Sequence, residues 1–248
     1  MSLPETEGVD YIVVWQMPGM TDRATPPDSV MRDDIRIIVS DTAGLSQSRN
    51  IAIGEATGEV CLIADDDTVL ISSEFQTIRK TFSENPDIDI ALFRIAGKQK
   101  KYPEKRITVN RKLPKGYWVT SPEIAFRTAS IRGKLKFRNN FGLGAPRFTA
   151  AEESFFITDA IRQKLKIEMI PVETCIQPSP SSGERAYSAD GGFPASQGAF
   201  IRYTHGIIHG FPRIIMFATR ASLTAKAPFL FTLKHAFKGF TCRTTEML

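Results

Sequence analysis

The sequence has few cysteines and no long apolar run. Its three cysteines, Cys61, Cys175 and Cys242, lie far apart and form no Cys-x-x-Cys motif, which indicates a reducing compartment rather than a disulfide framework. No uninterrupted apolar stretch reaches the ~18 residues that a membrane-spanning helix needs. Residues 1–10 are polar and acidic, so no secretory signal peptide is expected. We therefore expect a cytoplasmic protein, and peripheral contact with the inner face of the plasma membrane stays open.

Histidine is equally scarce. His205, His209 and His235 have no metal-ligand partners at a suitable spacing, so we interpret them as structural residues. The 248 residues are 42% hydrophobic and 24% charged, which is typical of one globular domain with a tail. A net charge of +5 suits anionic nucleotides, anionic lipids and nucleic acids alike and does not choose among them.

The most informative stretch is an apolar run that ends in three acids, residues 59–67, Glu-Val-Cys-Leu-Ile-Ala-Asp-Asp-Asp. Residues 60–64 show no polar alternation, which predicts a strand covered on both faces in a parallel sheet. Asp65, Asp66 and Asp67 follow its carboxyl end, where open α/β sheets bind ligands, and adjacent carboxylates repel unless a cation compensates them. We predict a divalent-metal site. The alternative is a solvated acidic turn before a helix that begins at Ser72 or Ser73.

Alternating strand and helix patterns surround this stretch. Apolar runs of strand length occur at residues 11–16, 35–40, 60–64, 89–95 and 166–171. Helical spacing occurs at residues 72–84 and from residue 151 onward, and a helix is also expected before Gly58. This succession predicts an α/β protein.

Residues 44–67 carry a resemblance to a known family. Gly44-Leu-Ser-Gln-Ser-Arg49-Asn50, followed by the acids after the strand, resembles the Gly-x-Ser-x-x-Arg-Asn…Asp-x-Asp signature of family-two glycosyltransferases. The resemblance implies a GT-A-like fold with a mostly parallel central sheet flanked by helices, and with C-terminal helices. We expect a glycosyltransferase domain over residues 1–192 and a basic, hydrophobic helical region over residues 193–248.

The start of the chain departs from the family pattern. Family members open with an additional strand and helix, whereas here only ten residues precede the strand at residues 11–16. We expect that this first unit is absent. Either the chain is short and its nucleotide pocket is weakened, or the first unit is compressed.

The resemblance also assigns roles to the acids. It implies that Asp65 and Asp67 bind the diphosphate of a nucleotide sugar through Mg²⁺ or Mn²⁺, with Asp67 as the first ligand and Asp65 as the second. Arg49, Asn50, Asp65 and Asp66 are the expected nucleotide-sugar residues, although Asp66 would face the opposite side of an extended segment. Arg49 and Asn50 either hold the nucleotide or support the acidic loop.

A second acidic pair, Glu152 and Glu153, opens the helix near residue 151. In the family a Glu-Asp pair opens this helix, and its second acid is the catalytic base. Glu153 matches that position, with Glu in place of Asp, and Glu152 would bind acceptor hydroxyls or orient its neighbour. Two glutamates in a first helical turn also favour the helix dipole, so a purely structural role is available.

The resemblance therefore implies an inverting transfer of sugar from a nucleotide-diphosphate donor, a UDP-sugar, to a glycan or lipid-linked acceptor in surface polysaccharide synthesis. A truncated, non-catalytic relative that binds sugar nucleotides or glycans is the alternative. A nucleotidyltransferase would have a glycine-rich, basic phosphate loop after its first strand, and the sequence shows none.

The sequence leaves the roles of three further segments undetermined. Residues 98–115 are strongly basic, which predicts a solvated hairpin or, alternatively, contact with an anionic acceptor or a membrane. Nucleic acid is not an expected partner because few aromatic side chains there can stack on bases. Residues 177–183 have the composition of a loop over a site. From residue 193 clustered Phe with Lys and Arg predicts packed helices, divided at Pro212 and Pro228, or a helix on a membrane surface.

Overall fold

The computed structural model describes residues 3–19, 25–97, 100–177, 191–224 and 226–247. The loop expected over residues 177–183 therefore lies, except for Gln177, outside the described residues. The chain divides into two compact units. Unit 1 comprises Met1–Ala43, Ser48–Lys136 and Phe156–Ser179, and unit 2 comprises Gly44–Gln47, Phe137–Phe155 and Pro180–Leu248. The domain boundary at residues 192 and 193 stays a prediction.

Unit 1 contains two sheets. The strands are β1 (Tyr11–Gln16), β2 (Ile35–Ser40), β3 (Val60–Leu62), β4 (Val69–Leu70), β5 (Ile90–Ala96), β6 (Ile107–Val109), β7 (Ile124–Arg127) and β8 (Ile167–Ile176). β1 and β2 form a parallel pair in which Tyr11 lies opposite Ile35. The other strands form one sheet in the order β3-β7-β5-β8-β4, and β6 also pairs with β8.

The α/β class is confirmed, but the larger sheet is mixed rather than mostly parallel. Among its described strands β5 and β8 run parallel, whereas β7 runs antiparallel to both β3 and β5. The prediction that residues 60–64 are covered on both faces is also wrong. β3 ends at Leu62, and its three residues are half-buried because, within the described chain, it pairs with β7 alone.

The helices occupy the predicted positions, except for a short one at Thr128–Ile131 that the sequence did not predict. They are α1 (Leu45–Glu55), α2 (Phe75–Glu84), α3 (Thr128–Ile131), α4 (Glu152–Arg162), α5 (Gly192–Leu223) and α6 (Phe229–Phe240). In unit 1, Phe75, Ile78 and Phe82 share one face of α2 and pack with Phe93 of β5. This spacing of apolar residues is the reason that the segment forms an amphipathic helix against the sheet.

Helices α5 and α6 pack closely in unit 2. A Cβ atom added at Gly198 would lie 1.8 Å from the carbonyl oxygen of Ala236, so only glycine permits this approach. The expected break at Pro212 is wrong, because the interruption lies at Gly206, whose φ of 67° glycine adopts without steric cost. None of the helices in the described part of the chain is both long and apolar enough to cross a bilayer.

Candidate active site

The acids that follow β3 form a tight turn. The backbone N–H of Thr68 donates to the carbonyl oxygen of Asp65 at 3.0 Å, and the N–H of Asp65 donates to the hydroxyl of Thr68 at 3.2 Å. Asp66 and Asp67 lie between them and are exposed, whereas Asp65 is half-buried. The turn therefore offers two carboxylates to solvent and holds the third against the protein.

Arg49 fixes that third carboxylate. Its side chain on α1 is only 7% exposed and donates to Asp65 Oδ1 at 2.8 Å. The same guanidinium nitrogen also donates to Ser121 Oγ, just before β7. These contacts are the ones expected if Arg49 supports the acidic turn. Asn50, the next residue of α1, is half-buried.

The acids suit a particular kind of metal binding. In the described part of the chain no three His, Cys, Asp or Glu side chains converge as a group that could hold a metal ion. Mg²⁺, however, is commonly bound by one or two carboxylates together with substrate phosphate oxygens. The exposed Asp67, two residues from Asp65, fits this substrate-assisted mode rather than an all-protein cage.

A buried ion pair lies beside Ser121. The Lys100 ammonium is 2.6 Å from Glu123 Oε2, and the two side chains are 3% and 0% exposed. Glu123 Oε2 also accepts the backbone N–H and the hydroxyl of Thr120 at 2.7 and 2.9 Å. Three aromatic rings lie around the ammonium: Tyr102, Tyr117 and Trp118, with centroids at 5.8, 5.5 and 5.3 Å.

Burial keeps the neighbouring titratable groups neutral. It raises the pKa of Tyr102 and of Tyr117, and the negative charge of Glu123 adds to both shifts. Burial, followed by the charge of Glu123, raises the pKa of the Cys175 thiol to about 12. These groups are therefore protonated at physiological pH and do not serve as general bases.

Sequence reasoning missed this ion pair. The prediction of a solvated hairpin over residues 98–115 is wrong at Lys100, which is buried, and residues 98 and 99 lie outside the described part of the chain. A run of basic residues is normally a solvated face, and the partner, Glu123, lies 23 residues away. No local pattern signals the contact.

In unit 2, Glu152 and Glu153 form the first turn of α4, as predicted. Glu152 is buried, and a Cβ added at Gly142 would lie 3.2 Å from its carboxyl carbon. Glu153 is half-buried. Ala151, directly before them, has a φ of 76°, which costs a non-glycine residue ~1–2 kcal/mol. Such strain clusters at functional sites, and the sequence carried no sign of it.

The Gly-x-Ser part of the motif secures the glycine-containing segment that faces Glu152. Ser46 Oγ donates to the carbonyl oxygen of Phe141 at 2.6 Å. A Cβ added at Gly144 would lie 3.2 Å from the Cα of Gly44, so the two backbones approach closely and a larger residue would require a small shift of one of them. This motif therefore has a structural function in unit 2, whereas Arg49 supports the acidic turn in unit 1.

Comparisons with known proteins identify the family of the chain and its fold. The family model Glycosyl transferase family 2 matches residues 23–153, whereas no curated protein matches the chain significantly. A crystal structure of S. aureus TarS 1–349 with UDP-GlcNAc has a TM-score of 0.55 and 15% identity, covering 85% of this chain and 71% of that one.

Two further structures of the same protein are also similar. S. aureus TarS 1–349 has a TM-score of 0.54 and 11% identity, covering 93% of this chain and 90% of that one. TarS 1–349 with UDP has a TM-score of 0.51 and 17% identity, covering 86% of this chain and 60% of that one. At these identities the likeness concerns the fold, and it confirms the expected GT-A-like architecture.

Proposed function

Because the chain belongs to glycosyl transferase family 2, we propose that it transfers a sugar from a UDP-sugar to a glycan or lipid-linked acceptor in surface polysaccharide synthesis. The observation that carries the proposal is the acidic turn after β3, where Asp67 is exposed and Arg49 holds Asp65 at 2.8 Å. UDP and UDP-GlcNAc are the ligands of the similar TarS structures, which supports a uridine nucleotide as the donor.

The turn would bind the donor diphosphate together with Mg²⁺ or Mn²⁺. Asp67 would be the first ligand and Asp65 the second, and phosphate oxygens would complete the shell. When bound, the ion would offset the negative charge of the leaving diphosphate. Arg49 keeps Asp65 in position for this task, and Asn50 and Asp66 complete the proposed nucleotide-sugar site.

Glu153 would act as the general base. It is half-buried in the first turn of α4, where a carboxylate can accept the proton of an acceptor hydroxyl. Attack by that hydroxyl opposite the leaving diphosphate inverts the anomeric centre and needs no covalent intermediate. Glu152, whose carboxyl group lies against Gly142, would bind acceptor hydroxyls at its edge or orient its neighbour.

The release of UDP from UDP-GlcNAc in the presence of Mn²⁺ tests this proposal. We expect Asp67→Ala to abolish turnover, and Glu153→Gln to lower it by roughly 10²–10⁴-fold while UDP still binds. Glu59→Ala is the matched control, because this exposed acid lies at the other end of β3. Binding of UDP without any turnover would instead support the non-catalytic relative, and turnover that survives Asp67→Ala would refute the role of the acidic turn.

The C-terminal helices have the properties of a membrane-contacting surface. Several large apolar side chains of α5 and α6 are exposed, among them Ile207, Ile208 at 83%, Phe211 and Leu230 at 75%. Residues 192–243 contain no Asp or Glu. Their basic residues are Arg202, Arg213, Arg220, Lys226, Lys234, Lys238 and Arg243. An apolar surface with basic neighbours can bind an anionic bilayer, and such binding would bring the protein to a lipid-linked acceptor.

Sedimentation with lipid vesicles tests this contact. We expect binding to vesicles that contain phosphatidylserine, and weaker binding to neutral phosphatidylcholine vesicles. Ile208→Asp should reduce binding, whereas the control Met31→Asp, at an exposed residue of unit 1, should not. Equal binding of both variants would refute the assignment of α5.

A further inference from the structure

A short, buried 3₁₀ turn, Ser121–Glu123, leads into β7. Because β7 runs antiparallel to β3, its first residues lie beside the carboxyl end of β3. The backbone N–H of Ile63 donates to the carbonyl oxygen of Ile124 at 3.0 Å. The 3₁₀ turn therefore lies at the strand end from which the acidic turn, residues 65–68, begins.

Hydrogen bonds to one carboxylate oxygen close the 3₁₀ turn. Glu123 Oε2 accepts the backbone N–H and the hydroxyl of Thr120, the residue before the turn, and it also accepts the Lys100 ammonium at 2.6 Å. Lys100 donates to the Thr120 hydroxyl as well, at 3.1 Å. The backbone N–H of Glu123 donates to the carbonyl oxygen of Thr120 at 3.1 Å. Lys100, Thr120 and Glu123 therefore form one hydrogen-bonded unit.

Ser121, inside this turn, is the link to the acidic turn. Its buried hydroxyl oxygen accepts a hydrogen bond from Arg49 Nη2. The same nitrogen donates to Asp65 Oδ1 at 2.8 Å. A guanidinium on a long side chain has many rotamers, and each acceptor on a fixed backbone removes some of them. The position of Asp65 thus depends on where the 3₁₀ turn holds Ser121.

We propose that Ser121 and Glu123 are positioning residues for the donor site. Glu123, paired with Lys100, fixes the place of Ser121. Ser121 in turn holds Arg49, which sets the position of Asp65. In the proposed function, on which this role rests, Asp65 is the second ligand of the cation that binds the donor diphosphate. Hydrogen bonds around a metal ligand orient it, and loss of one such partner lowers metal affinity by roughly 10–100-fold.

The burial of the Lys100–Glu123 pair fits this role. Replacement of a buried ion pair by apolar side chains of similar volume is often neutral for stability, because the desolvation of two charges offsets their attraction. Several hydrogen bonds to one buried carboxylate, in contrast, rigidify the segment that carries it. The pair therefore acts on the shape of the 3₁₀ turn more than on the free energy of unfolding.

Ser121→Ala tests the link directly, because it removes an acceptor for Arg49 and leaves the Lys100–Glu123 pair in place. The amide of Thr68, which donates to the carbonyl oxygen of Asp65 at 3.0 Å, reports the order of the acidic turn. We expect its hydrogen exchange, measured by NMR on the full chain, to become roughly tenfold faster. In a calorimetric titration we expect Mn²⁺ to bind the UDP complex roughly tenfold more weakly. Affinity for UDP without metal should stay unchanged.

Thr128→Val is the matched control. Thr128 carries a buried hydroxyl at the opposite end of β7 and donates to the carbonyl oxygen of Gly58. Its replacement should lower the melting temperature, because the carbonyl group loses a hydrogen bond. Exchange at Thr68 and Mn²⁺ affinity should stay at their wild-type values.

The double variant Lys100→Met/Glu123→Met separates position from stability. It removes both charges together, so it should lower the melting temperature far less than Lys100→Met alone. The acceptor that closes the 3₁₀ turn is nevertheless lost, so exchange at Thr68 and Mn²⁺ affinity should change as in Ser121→Ala. Wild-type values in this double variant would refute the role of the pair.

Unchanged exchange at Thr68 in Ser121→Ala would overturn the proposal. Faster exchange with unchanged Mn²⁺ affinity would also overturn it, because the position of Asp65 would then not matter to the cation. Equal changes in Thr128→Val would have the same consequence, since they would show a general loosening around β7. If Mn²⁺ has no effect on UDP binding by the wild-type protein, the proposed function fails, and exchange at Thr68 still decides whether Ser121 positions Asp65.

Discussion

Replacement of Lys100 by methionine should destabilise the fold strongly, because it leaves Glu123 as a buried carboxylate without its cation. The pair is 2.6 Å apart, with side chains 3% and 0% exposed. Removal of one partner of a buried pair costs ~3–5 kcal/mol. Glu123 retains two hydrogen bonds from Thr120, so we expect the lower end, about 3 kcal/mol. For a chain of this size that loss lowers the melting temperature by roughly 6–12 °C.

Thermal unfolding followed by circular dichroism measures the effect. The double variant Lys100→Met/Glu123→Gln removes the stranded charge and should recover most of the lost stability. The control is Arg36→Met, whose ion pair with Glu55 has the same 2.6 Å separation but side chains that are 58% and 46% exposed. Such pairs contribute about 1 kcal/mol or less. If Lys100→Met cost no more than Arg36→Met, the reasoning from burial would be refuted.

Three smaller predictions concern single sites. Hydrogen bonds from the Cys242 thiol and, second, from the Arg243 N–H lower the pKa of Glu246 to about 2. The resulting stabilisation is present above the unfolded pKa of about 4.3 and is lost as the pH falls through the folded pKa. Glu246→Gln should therefore weaken the dependence of the melting temperature on pH over that range. Burial raises the pKa of Cys175 to about 12, so iodoacetamide at pH 8 should label this thiol only after denaturant is added. At the positive φ of Ala151, valine should destabilise by ~1–3 kcal/mol, whereas glycine should not; equal melting temperatures for the two variants would contradict the strain.

Most of the secondary structure that the sequence predicted correctly is visible as a pattern within a single segment. The apolar spacing of Phe75, Ile78 and Phe82 predicts α2, because helix periodicity is visible within one segment. The acids after residues 60–64 likewise indicate the end of a strand. Strand pairing could not be predicted in this way. Nothing within the sequence of β3 reveals that its neighbour is the antiparallel β7 or that its other edge lacks a partner in the described chain.

The contacts among the candidate site residues could not be predicted from the sequence for the same reason. The motif singled out Arg49 and Asp65, but their mutual contact brings residues from two segments together. The burial of Glu152 depends on the close approach of Gly142, and Lys100 pairs with a residue far along the chain. Contacts between distant segments are set by tertiary packing, which single-segment patterns do not encode.

Calorimetric titration of UDP into the protein, with and without Mn²⁺, tests the central claim most directly. The account predicts that Mn²⁺ strengthens UDP binding, that Asp67→Ala removes this gain, and that Glu59→Ala retains it, because Glu59 lies at the far end of β3. UDP affinity that is the same with and without Mn²⁺, or that is unchanged by Asp67→Ala, would show that the acidic turn does not bind the donor diphosphate through a cation.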